Sequence, residues 1–227
     1  MESRSVELFE MEGVQAALAY LRETPHPSPA AQVQAYDQLA RHVYWQNKDL
    51  HATIEILQAG LEFGESLLDD HPDEAVEIKS QLKAIHYNLA SFTWVGWDEP
   101  GFTVTPEQEK LGLKAAQANL QLATELKKED LPLSRAYWML AAQEISARQY
   151  EKAKEHFSLA EQLAKQAGVS GEELLAHGFL QFTELLIDPG NEIIAARLAD
   201  TKTVLQNEEH GEIFVQQLET AGKVFGG

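Results

Sequence analysis

One spacing rule constrains this chain more than any other feature. A Leu-Ala pair in one helical run is followed 13 residues later by the first of three mostly small residues, spaced four and three apart, in the next run. Leu39-Ala40 with Ala52, Ile56 and Ala59 follows the rule, and so does Leu140-Ala141 with Ala153, Phe157 and Ala160. Small side chains at such places let two helices approach closely, while a larger one fills the gap toward the next pair. A chain built on this spacing is all-helical, made of antiparallel helix pairs.

The clearest unit is Ser134 to Ala167, about 34 residues with Tyr150 at its turn. In length and in the placement of Leu, Ala, Tyr and Phe it resembles the tetratricopeptide repeat. The resemblance implies a right-handed α-α superhelix and a scaffold for binding other proteins. Where the family carries Gly after the Leu, this chain has Ala40, Ala90, Ala141 and Ala176, which keeps that contact small. The resemblance covers roughly Val33 to Leu205 as four pairs.

Along the chain, 1–24 is expected as an N-terminal helix, with Val6, Phe9, Gly13, Ala17 and Tyr20 on one face. The segment 25–29, with Pro25, Pro27 and Pro29 alternating, reads as an extended connector. Four helix pairs follow over 30–207 and a capping helix with its tail over 208–227, the whole forming a single helical domain, 1–227. In the second pair the offset from Leu89 to Ala116 is 27, and the excess falls at 96–107, GWDEPGFTVTPE. That stretch reads as an inserted loop, either folded over a binding surface or pinned by Trp97 and Phe102 to the helices beneath. In the fourth pair Ala195 and Ala199 match the triplet loosely.

In the family, first helices line a concave face. The resemblance therefore implies a groove bearing Asp37, Tyr87, Trp138 and Glu173 two places before the Leu, and Arg41, Ser91, Ala142 and His177 two places after it. Five places after it come Tyr44, Trp94, Ile145 and Leu180, with Trp45 beside Tyr44. Together with Trp97 and Phe102 from the loop, these aromatics would give a partner large, rigid surface. The same tryptophans at helical spacing are equally what a packed core requires.

Charge narrows the partners. Asp and Glu number 36 against 18 Lys and Arg, a formal charge of -18, which disfavours nucleic acid and anionic membrane surfaces and favours a partner with a basic face. Self-association through the aromatic face is the alternative. There is no cysteine, so disulfides and thiolate chemistry are out, and with no signal-like or membrane-length apolar run a cytoplasmic location is expected. HExxH, a glycine-rich phosphate loop, G-x-S-x-G, an EF-hand pattern and paired ExxH motifs are all missing. The expectation is a non-enzyme without metal or cofactor. A small-ligand cavity under the 96–107 loop is the remaining alternative.

Overall fold

The computed structural model describes residues 4–226; residues 1–3 and Gly227, the last of the expected tail, lie outside them. The chain is all-helical, with 81% of residues in helices and no strand among the described residues. Its contacts divide it into two compact units, Met1–Phe92 and Thr93–Gly227, where the sequence suggested one domain. The division falls between the two helices of the second expected pair, at the head of the inserted stretch.

The first unit begins with two helices where one was expected, α1 (Arg4–Glu12) and α2 (Val14–Glu23). Gly13 separates them with φ +87 and ψ -178, a backbone conformation open essentially to glycine alone. The Pro-rich connector ends at Ser28, whose Oγ accepts from the Ala31 amide (3.1 Å) and caps α3 (Pro29–His42), with Pro29 in the first turn. Gln32 reaches back, its Nε2 donating to the carbonyls of Leu21 (2.8 Å) and Arg22 (3.0 Å) at the end of α2. Beyond α3 the chain makes a π-helical turn, Val43–Asn47, and passes through left-handed Lys48. Asp49 then caps α4 (Leu50–Leu67), its Oδ1 accepting from Ala52. A 3-10 turn, Pro72–Glu74, leads into α5 (Ala75–Phe92). Helices α3, α4 and α5 pack on one another, with Leu39, Ala40, Leu89 and Ala90 all buried among them.

The second unit opens with a 3-10 turn, Val95–Trp97, followed by α6 (Pro106–Glu125), which Thr105 and Gln108 start with a capping box. Then come α7 (Asp130–Ser146), α8 (Tyr150–Gln166), α9 (Ser170–Ile187), α10 (Glu192–Leu205) and α11 (Gly211–Phe225). Each of α6 to α10 packs on its sequence neighbour. The register residues form the seams: Ala141, Ala153, Phe157 and Ala160 are wholly buried, and the Ser134 hydroxyl donates to the Ala160 carbonyl (2.7 Å), fastening α7 to α8. Phe157 stacks on Phe179 at 5.4 Å between centroids, tying α8 to α9. Burying each such ring stabilises the unit by roughly 1.5–3 kcal/mol. By contrast, Ala195 and Ala199 of α10 are exposed, so the fourth pair departs from the rule in packing as it does in sequence.

Helix α11 covers more than the end of the array. It packs on α9, on α10 and on the 3-10 turn of 95–97, with Leu218 buried and its side chain against Gly178. No helix among the described residues is long and apolar enough to cross a membrane.

Candidate interaction surfaces

In the second unit the groove positions are occupied by the chain itself. Trp94 does not continue α5: the helix stops at Phe92, and Trp94 takes an extended conformation at the head of the 3-10 turn. Its indole Nε1 donates to the Ala142 carbonyl (2.8 Å), and its ring lies against Trp97, Trp138, Phe179 and Phe225 at 4.6–6.2 Å. Trp138 touches Trp97 at 5.9 Å, Phe179 at 5.0 Å and Phe157 at 6.2 Å. Trp94 and Trp138 are 2% and 8% exposed and Ile145 is 1% exposed, so these three sit in the interior and offer a partner nothing. The sequence placed them on an open face because it could not foresee that the inserted stretch and α11 lie over it.

The first part of the inserted loop is thus pinned. Gly96 lies so close beneath Trp94 that a β-carbon there would stand 2.3 Å from the indole. Trp97 and Phe102 are half-buried, while Asp98, Pro100, Gly101, Thr103 and Thr105 are exposed. His177 is also engaged: Gln181 Nε2 donates to His177 Nε2 (2.8 Å), leaving Nδ1 to donate to Glu161 (3.1 Å), a link between α8 and α9. A second carboxylate-imidazole contact, Glu144 with His156 at 2.7 Å, joins α7 to α8. Both pairs hold helices together.

A cavity of about 310 Å³ lies between α6 and the last turn of α7, lined by Glu109, Lys110, Leu113, Gln143 and Ser146 among others. Burial raises the Glu109 carboxyl above the usual carboxylate range. Pro106, from the end of the 96–107 stretch, is among its lining residues.

The first unit presents its aromatics differently. Tyr44 is buried and stacks on Phe92 at 3.9 Å with the planes 14° apart. Trp45, the next residue, stands edge-on to both rings and is 50% exposed. Tyr44 and Trp45 are successive residues of the π-helical turn, and successive side chains leave a helix about 100° apart, so one points inward while the other reaches solvent. Lys48 Nζ lies 5.1 Å from the Trp45 ring centre, within cation-π range. Tyr87 is half-buried on α5, with Lys83 Nζ 6.0 Å from its ring centre; Ser91 on the same helix is half-buried, and Arg41 on α3 is exposed.

Asp37 is buried between α3 and α5, where Asn88 Nδ2 donates to it at 2.6 Å. Burial raises its carboxyl above the usual range, and the bond from Asn88 and the charge of Arg41 oppose that rise. The register did not reveal Lys48, Phe92 or Phe225, since no offset from the Leu-Ala pair points to them; the aromatic run VYWQN before a Lys-Asp turn was the available signal for Lys48.

Among the described residues, no group of three or more His, Cys, Asp or Glu side chains is placed to hold a metal ion. No family model matches the chain, and neither the curated proteins nor the solved structures contain a match to it.

Proposed function

We propose that this chain is a non-catalytic interaction module of tetratricopeptide-like helix pairs, following a right-handed superhelix, and that it holds a peptide or helical segment of a partner protein on the α3–α5 face of its first unit. The observation that carries the reading is Trp45: a large aromatic ring half in solvent, braced from below by Tyr44 and Phe92. A rigid, pre-positioned indole loses little entropy on binding and is the residue type that most often dominates interface energetics. Tyr87 and Arg41 extend the accessible surface on the same two helices. The net charge of -18 steers a basic partner toward the module, so its capture weakens as salt rises.

The test is affinity capture from native lysate, comparing wild type with Trp45→Ala/Tyr87→Ala after both give cooperative melts. A protein retained by wild type and lost by the double variant supports the site. Equal retention by both moves the contact elsewhere on the chain.

A further inference from the structure

The outer stripe of α10 is self-complementary. Of the eight large aliphatic and aromatic side chains that stand exposed among the described residues, Ile187, Ile193, Val204 and Ile213 lie in one short stretch around this helix. Ile193 and Val204 are 67% and 52% exposed and eleven residues apart, just over three full turns, so they share a face. Between them on that face stand Arg197 and Asp200, both exposed. The stripe thus runs apolar, positive, negative, apolar, while Thr201 and Leu205 turn the neighbouring face of the helix inward.

We propose that two copies of this chain pair through α10, antiparallel, about a two-fold axis that crosses the helix between Leu198 and Ala199. That axis sets Ile193 opposite Val204 of the other copy and Arg197 opposite its Asp200. Each aliphatic side chain meets the opposite aliphatic of the other copy, and each charge meets its opposite, twice per dimer. A parallel pairing would set Arg197 on Arg197 and Asp200 on Asp200.

Two copies carrying -18 each repel one another, but α10 holds Glu192, Asp200, Arg197 and Lys202 and is itself neutral, so the helix adds no net charge repulsion to the approach. A helix of 14 residues spans roughly 21 Å, so the contact is smaller than a standard interface and the dimer forms in the micromolar range. This pairing is independent of the partner site on the first unit.

Sedimentation equilibrium of the full chain from about 1 to 200 µM, in salt of about 0.15 M, reads the mass directly. The expected mass rises from 25.3 kDa toward twice that value. Arg197→Glu and Asp200→Arg each weaken dimerisation at least tenfold, and the two together restore it to within about threefold of wild type. Because the chain has no cysteine, Ile193→Cys and Val204→Cys give single reactive sites. A short bismaleimide links a mixture of the two variants and neither alone, since like positions lie roughly 16 Å apart in the antiparallel register. A constant monomer mass, single charge reversals without effect, or crosslinking within one cysteine variant overturns the proposal.

Discussion

Each unit carries an aromatic cluster, and the two clusters are finished differently. In the second unit the inserted stretch and α11 bring Trp94, Trp97 and Phe225 onto the helix face that holds Trp138, closing the cluster into core. In the first unit Tyr44 and Phe92 stack, and Trp45 is left standing at the edge with half its surface in water. The same residue types become interior in one place and a half-exposed edge in the other. Whether more chain lies over them decides the difference.

The largest expected effect breaks the closed cluster. Trp138→Ala removes a ring that four aromatic neighbours surround and destabilises the protein by about 3–5 kcal/mol, read from the midpoint of a urea melt. A loss below about 1 kcal/mol would mean that the cluster is loosely closed and Trp138 is reachable after all.

The next effect belongs to the first unit. His86 on α5 is held neutral by burial, its pKa lowered to about 4, and its Nδ1 has no hydrogen-bond partner among the described residues. The unfolded chain binds the proton near 6.5, so between about pH 6.5 and 4 the unfolded state takes up more protons than the folded one. The stability contributed by neutral His86 is therefore complete above pH 6.5 and is lost as pH falls toward 4, by up to about 3 kcal/mol. Melts across that range for wild type and His86→Phe measure it: the variant's profile is flatter by that amount, and parallel profiles would contradict the burial.

Gly96→Ala sharpens the comparison at the loop. Its β-carbon meets the Trp94 indole, which must shift and loosen its bond to Ala142, at a destabilisation of about 1–3 kcal/mol. Indole fluorescence moving to longer wavelength reports the opening. The smallest stability effect is at the exposed edge: Trp45→Ala changes stability by less than about 1 kcal/mol while reducing partner affinity by at least about 2 kcal/mol. Calorimetry together with binding to the captured partner separates the two quantities.

The helical framework was legible because its signal is local. The pairs Leu39-Ala40, Leu89-Ala90, Leu140-Ala141 and Leu175-Ala176, read from spacing alone, are all buried in helices. The break at Gly13 was less legible, since a glycine within a helical pattern is often tolerated. Among the groove residues, extrapolation failed at Trp94, which counts as a fifth place after Leu89 only if α5 continues past Phe92.

Sequence by itself determined the all-helical class and the absence of thiol chemistry, the first set by neighbours within about four residues and the second by composition. Tertiary structure alone decided which aromatics reach solvent. Exposure depends on what the distant segments 93–105 and 211–225 lie against, and on which of Tyr44 and Trp45 stacks on Phe92. Those outcomes come from long-range packing of side chains against one another, which helical spacing cannot encode.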